Sequence, residues 1–268
     1  MKCPVCDNEI IYGAYSKRII NKRYNAEFLK CLGCGSYIRV NYDLNKILNQ
    51  YELDSNIRIA SWHQMSTESA SRYWMKLQQV IPNEINKKGS LFEFGTSLGY
   101  FLNHAKQNGW IVSGIEWSQI AVDYAKEKFN IDITKGSIEK YDCLIKFDMI
   151  AAFEVIEHLE NPVEILSRCY YWLKPQGILV ISTPNVDSPS ADFSESETYH
   201  CGHLVLFGYK KLKEILEKMG FEVVKPELEI DLQGECLYNG DREDDRPEIF
   251  DDETWKLIIE YNNKIHKM

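Results

Sequence analysis

Between residues 91 and 224 the chain alternates two hydrophobic rhythms. Residues 91–94 form a short apolar run closed by Gly95; Leu98, Phe101, Leu102 and Ala105 then fall at helical spacing as far as Gly109, and a second apolar run ends at Glu116. A helix follows with Ala121, Tyr124, Ala125 and Lys128 or Phe129 on one face, and 131–134 is a third short strand. The near-continuous apolar runs FDMIAAF (147–153) and GILVIST (177–183) predict strands covered on both faces. A helix over 162–173 separates them, turning Ile165 or Leu166, Cys169, Tyr170 and Leu173 inward, and 174–177 reads as a tight turn. Leu212, Ile215, Leu216 and Met219 mark an amphipathic helix that stops at Gly220, before a further strand at 221–224. Strand and helix in strict alternation imply a doubly wound parallel sheet, and such sheets bind ligands beyond the carboxyl ends of their strands.

The flanks have other patterns. Residues 41–88 look helical and connective, with Tyr73, Trp74, Leu77 and Val80 on one face, read by default as packing between the amino-terminal segment and the main domain. Residues 241–253 are mostly acidic, and 254–265 is expected as a final helix carrying Trp255, Ile258 and Ile259. The boundaries expected from this are 1–45, 46–88 (a helical linker and cofactor lid), 89–226 and 227–268.

The 268 residues, 44% of them hydrophobic, suffice for one large core and a small appendage. A formal net charge of −9 counts against a phosphate-backbone partner. With no membrane-length apolar run and no signal-peptide core at the amino terminus, a cytoplasmic location without membrane contact is expected. Four of the eight cysteines change the picture of the first segment. Cys3 and Cys6, then Cys31 and Cys34, form two C-x-x-C turns with strand-like residues between them, the pattern of a zinc ribbon. Four thiolates leave no open coordination position, so the ion is expected to be structural; a redox or iron site and free thiols are the alternatives.

The loop after the first sheet strand reads Glu93-x-Gly95-x-Ser97-x-Gly99, and Glu116 ends the second strand, where a carboxylate can accept hydrogen bonds from both hydroxyls of a ribose. The register differs from the G-x-G-x-x-G that places a pyrophosphate on a helix amino terminus. It resembles the first motif of class I methyltransferases that use S-adenosylmethionine, with Ser97 where the family has its middle glycine. A second stretch, FEVIEHLENP (153–162), is similar to the E-x-x-E-H-x-x-x-P segment of the branch that includes the ubiquinone-pathway O-methyltransferases. With LKPQGILVISTPN and HLVLFGYKKLKEILEKMGF the resemblance covers about residues 91 to 224. It implies a Rossmann-like, mostly parallel sheet of seven strands. It also implies a cofactor site drawn from Glu93, Gly95, Ser97, Gly99, Glu116, Trp117, Ser137, Ile138, Phe153 and Glu154, with Arg72 and Tyr73 as candidates for the cofactor's carboxylate. The acidic residue that usually meets the adenine is missing at Ser137 and Ile138, and Glu139 comes late.

Glu154, Glu157 and His158 stand three and four residues apart and can converge as ligands of a divalent ion or as an acid/base pair; as a structural alternative, His158 caps the turn. The resemblance implies such an ion as one alternative, since some relatives bind one through equivalent Glu, Glu and His residues, and His200 and His203 are candidates for a further ligand. The polar loop 185–203 carries Tyr199, His200 and His203 towards the same place, and His203 or His158 is the candidate general base. The N-P-P-[YFW] motif of base-amine methylation is absent after the fourth strand. That disfavours base amines, and because a zinc ribbon ahead of this domain resembles bacterial enzymes that modify sugars and other metabolites, the resemblance implies a small polar metabolite, preferably a saccharide hydroxyl, as acceptor. One rival is an RNA methyltransferase gripping RNA through Lys17, Arg18, Lys22, Arg23 and Lys30; the other is a non-catalytic scaffold with a degenerate cofactor loop. The sequence does not specify an oligomeric state.

Overall fold

The computed structural model describes residues 1–10, 18–22, 25–57, 59–187, 202–224 and 255–262. A hairpin of β1 (Arg18–Asn21) and β2 (Ala26–Lys30) is joined by β3 (Tyr37–Arg39), and the helices α1 (Leu44–Ile57), α2 (Ile59–Val80) and α3 (Pro82–Lys87) follow. The main domain then runs β4 (Ser90–Phe94), α4 (Tyr100–Gln107), β5 (Ile111–Glu116), α5 (Gln119–Phe129), β6 (Ile133–Lys135) and β7 (Phe147–Phe153). It continues through α6 (Pro162–Trp172), β8 (Leu173–Pro184), β9 (Val205–Leu206), α7 (Tyr209–Met219), β10 (Phe221–Val224) and β11 (Trp255–Asn262).

The large sheet has the order β10-β11-β8-β7-β4-β5-β6. Its parallel part is the five strands from β8 to β6, not seven. β11 lies antiparallel between β8 and β10. That strand replaces the helix expected over 254–265: in WKLIIEYN the apolar positions 255, 257, 259 and 261 also alternate, and the free edge of β8 selects the extended form. The turn expected at 174–177 survives as a register shift inside β8, with Gln176 at a left-handed φ of 61°.

The chain steps from β4 out to β5 and β6, then returns to β7 and β8, so the switch point lies between the carboxyl ends of β4 and β7. Helices cover both faces. Trp74 of α2 meets Phe101 of α4 edge-on at 5.7 Å, and Tyr73 stacks on Phe153 at 4.1 Å. Both aromatics thus lie against the main domain rather than between it and the amino-terminal segment. On the other face Phe92 stacks on Phe147 and Tyr141, with Trp172 edge-on to both Phe92 and Tyr141.

The amino-terminal segment is joined to this domain. β3 pairs with β9, giving a second sheet of order β1-β2-β3-β9, and Cys3, Val5, Ile10, Leu29, Cys31 and Ile38 belong to the same buried cluster as Ile156, Leu204 and Phe207. Among the described residues no helix is long and apolar enough to cross a membrane.

Candidate cofactor and acceptor site

At the end of β5, Glu116 is buried and used by the backbone around it. Its Oε2 accepts the N–H of Ser97 at 2.9 Å and its Oε1 that of Ser118 at 2.8 Å, so one carboxylate ties the glycine loop to the start of α5. The hydroxyl of Tyr51, on α1, also hydrogen-bonds Glu116, and the neighbouring Glu52 accepts the N–H of Gln119 at 3.2 Å. Helix α1, read from the sequence only as connective, therefore reaches over the residue expected to hold a ribose. Its apolar periodicity gave no hint of this, because the informative residues are the polar Tyr51 and Glu52.

The loop itself is tight. Gly95 has φ +71°, and a Cβ there would stand 2.3 Å from Cγ2 of Val155, which follows the tip of β7. Gly114, in mid-β5, was not singled out from the sequence; a Cβ on it would come within 2.5 Å of Cγ2 of Thr96. Ser97 takes φ +47°, the left-handed conformation its glycine equivalent adopts at lower cost.

Burial, and then the nearby Glu116, push the Glu93 carboxyl well above its ordinary range. Burial also raises Glu116, although the N–H groups of Ser118, Ser97 and Trp117 and the ammonium of Lys135 oppose the rise. Lys135 lies 4.6 Å from the centre of the Trp117 ring. Ser137 caps the short turn Ile138–Lys140 by accepting the N–H of Glu139 at 3.2 Å, and Ile138 is buried beside it. Oε1 of Glu139 accepts the N–H of Glu160 at 3.1 Å and of Asn161 at 3.3 Å, so that side chain is committed to the start of α6. Arg72 is exposed and donates to Ser69 at 3.4 Å. That contact is local to α2, and its charge acts on the neighbouring Tyr73 hydroxyl. Tyr73 does reach the strand tips, with its hydroxyl 3.2 Å from Oγ of Ser182.

Across the switch point Glu154 has φ +57°, and its N–H and carboxyl both engage Ser182, whose Oγ donates to Oε1 at 2.5 Å. Burial and the adjacent Glu157 raise Glu154 well above its ordinary range. Glu157 is fully buried and accepts the hydroxyl of Thr183 at 2.9 Å. Burial raises its pKa too, against the opposing charge of His158. The Oε1 of Glu157 lies 3.9 Å from Nε2 of His158 and 4.0 Å from Nε2 of His203. Nδ1 of His158 is 2.9 Å from the carbonyl of Gly202; a carbonyl can only accept, so Nδ1 carries a proton, and in the neutral tautomer it is Nε2 that has the lone pair. His158 is 39% exposed and His203 8%, which puts one ring at the solvent side of the cluster and the other beneath it. The ligand atoms of Glu157, His158 and His203 all lie within 4.8 Å of one another. His203 thus takes the place in this cluster that the sequence gave to Glu154, while Tyr199 and His200 fall outside the described residues.

In the amino-terminal segment the four thiols gather. Sγ of Cys3 is 3.7 Å from that of Cys34, Sγ of Cys6 is 3.6 Å from that of Cys31, and the four lie within 4.8 Å of one another. The edge of a tetrahedron of sulfurs about 2.3 Å from a zinc ion is about 3.8 Å, so the spacing suits that ion. The contact between the two sulfurs shifts Cys34 below the ordinary thiol range and Cys3 above it.

Comparison with known proteins places these features. The Methyltransferase domain family matches residues 61–225. The chain is 27% identical over 157 residues to the ubiquinone biosynthesis O-methyltransferase of Rickettsia conorii, covering 54% of each protein. To the mitochondrial ubiquinone biosynthesis O-methyltransferase of Saccharomyces cerevisiae it is 31% identical over 124 residues, 42% of this chain and 39% of that one. It spans about half the length of the curated relatives it matches. In fold it is similar to an S-adenosylmethionine dependent methyltransferase from Mesorhizobium loti, with a TM-score of 0.53 at 17% identity over 70% of this chain and 96% of that one. The chain belongs to the methyltransferase domain family and carries the Rossmann-like fold of the class I, S-adenosylmethionine-dependent methyltransferases.

Proposed function

We propose that the protein transfers the methyl group of S-adenosylmethionine to a hydroxyl oxygen of a small molecule. The observation that carries this reading is the convergence of two buried acidic groupings on one switch point: Glu93 and Glu116 on the β4–β5 side, Glu154 and Glu157 on the β7–β8 side. The residues fit the cofactor. Glu116 retains lone pairs for ribose hydroxyls, the backbone at Gly95 can approach the methionine end, and the buried acids suit a sulfonium cation. The cofactor supplies an activated methyl group. What the chain must do is align the acceptor, exclude water and receive one proton.

His158 and His203 stand where that proton would go, beside the tip of β7. Glu157 stands 3.9 Å from His158 and 4.0 Å from His203, spacings that ligands about 2.1 Å from a shared divalent ion can have. Such an ion would lower the pKa of an acceptor hydroxyl. The names of the relatives specify O-methylation in ubiquinone biosynthesis, which supports a hydroxyl acceptor and gives no support to the saccharide preferred from the sequence. We read the four-thiolate cluster as a structural zinc site. The RNA-binding alternative loses one of its cations, because Arg18 is engaged by Glu27 at 2.7 Å; Lys17 and Arg23 lie outside the described residues.

The test is transfer of radiolabel from methyl-labelled cofactor to a panel of phenols, catechols and saccharides. Incorporation into a hydroxylated acceptor, reduced about 100-fold or more in Glu157→Ala and His203→Ala, is expected. Transfer unaffected by both substitutions would contradict the assignment.

A further inference from the structure

The acceptor-side cluster is not built by the methyltransferase fold alone. Gly202 and His203 precede a segment whose outer hydrogen bonds run to the amino-terminal ribbon. The N–H of Arg39 donates to the carbonyl of Leu204 at 2.9 Å, and the register continues with Ile38 opposite Val205 and Tyr37 opposite Leu206. On the inner side the N–H of Leu204 donates to the carbonyl of Glu157 at 2.7 Å. One residue, Leu204, is therefore bonded through its carbonyl to the ribbon and through its N–H to the cluster, and its neighbours on the amino-terminal side are His203 and the Gly202 carbonyl that fixes the tautomer of His158.

Two further observations link this ladder to the cysteines. The turn from β2 to β3 is the second cysteine knuckle itself: the N–H of Cys31 donates to the carbonyl of Ser36 and the N–H of Gly35 to that of Cys31, both at 2.8 Å, and Lys30 pairs with Tyr37. The second is packing, since Cys3, Cys31 and Ile38 share one buried cluster with Ile156, Leu204 and Val205. A three-residue strand at the end of a short hairpin has little stability of its own, so its register depends on what closes the turn.

We propose that β3 is a positioning element for the acceptor side: the ion held by Cys3, Cys6, Cys31 and Cys34 fixes β3, and β3 holds residues 202–206 so that His203 and the Gly202 carbonyl meet Glu157 and His158. This rests on the four-thiolate reading given above. Its consequence is selective. Loss of the ion disorganises the acceptor side, while the cofactor loop at 93–99 and Glu116, which make no contact with β3 in this ladder, keep their affinity.

The test uses the full chain. Metal analysis establishes zinc content. Hydrogen exchange of residues 202–207 and calorimetric binding of S-adenosylhomocysteine are then measured before and after chelation. Exchange faster by about tenfold or more at 202–207, with affinity for the thioether within about threefold, is the expected pair of results. Unchanged exchange at 202–207, or loss of thioether binding in step with it, overturns the proposal. A pair of substitutions isolates the strand contact from the metal. Arg39→Pro removes the N–H that reaches Leu204 and leaves all four cysteines, whereas Arg39→Ala keeps that N–H. Shifted ring-proton resonances of His158 and His203 in Arg39→Pro but not in Arg39→Ala support the positioning role; identical spectra of the two variants refute it. A chain that carries no zinc refutes the four-thiolate reading and the metal link with it, and the Arg39 pair still judges the strand contact by itself.

Discussion

The two ends of the large sheet treat carboxylates in opposite ways. At the amino end Asp148 accepts the N–H and the hydroxyl of Ser90, both at 2.8 Å, and the ammonium of Lys174 at 2.7 Å, tying together β4, β7 and β8. Partial burial alone would raise its pKa, but Lys174 and the two Ser90 donors outweigh that and hold it below its ordinary value. At the carboxyl end Glu93, Glu116, Glu154 and Glu157 are all shifted upward, chiefly by burial, without a lysine or arginine paired to any of them among the described residues. The first arrangement serves stability. The second carries a desolvation cost that protonation or a cationic ligand relieves, which is the pattern expected of a binding site.

The largest way to sharpen this contrast is Glu116→Ala. It removes the ribose acceptor and strands the N–H groups of Ser97 and Ser118, so calorimetry should show affinity for S-adenosylmethionine lower by about 100-fold or more. Asp148→Ala should act only on stability. Loss of its bonds to Ser90 and Lys174 is expected to cost about 1–2 kcal/mol, and each kcal/mol lowers Tm by about 2–4 °C, with cofactor affinity unchanged. The Asp148 contribution is present above the unfolded carboxylate range and lost as pH falls through its depressed folded value, so the wild-type advantage should shrink in acid. Ser97→Gly should stabilise the loop by about 1 kcal/mol, because a left-handed φ of 47° costs serine more than glycine. Glu93→Gln should raise stability with a pH signature opposite to that of Asp148. A carboxyl whose folded pKa is raised favours the folded state below its unfolded pKa and loses that contribution as pH rises through the folded value, so the variant's gain should grow towards neutrality.

How far the sequence reached depends on how local each feature is. Phe147–Phe153 and α6 follow from short apolar runs and spacing, and their observed limits lie within a residue of the expected ones. Glu116 was legible because motif spacing puts an acid at a strand tip, although its bond to Tyr51 was not. Glu139 was noted as late for adenine, and its bonds to the N–H groups of Glu160 and Asn161, just before α6, depend on a fold-back of 21 residues that no pattern announces. WKLIIEYN was misread because its apolar positions satisfy both periods, and only the edge of β8 decides between them. The β3–β9 pairing joins residues more than 160 apart through a two-residue strand, too short to carry a periodic signal. His203 was named from its place in the resemblance, yet its meeting with Glu157 and His158 needed the strand beside it.

The most direct measurement is calorimetric titration of the full chain with S-adenosylmethionine and, separately, with S-adenosylhomocysteine from pH 5 to pH 8. The two ligands differ in the charge at sulfur, so if the buried acids of the carboxyl end hold a sulfonium, the affinity for S-adenosylmethionine relative to the thioether rises as those acids ionise with increasing pH. No binding of either ligand at millimolar concentration, or a ratio that stays flat across the range, would contradict it.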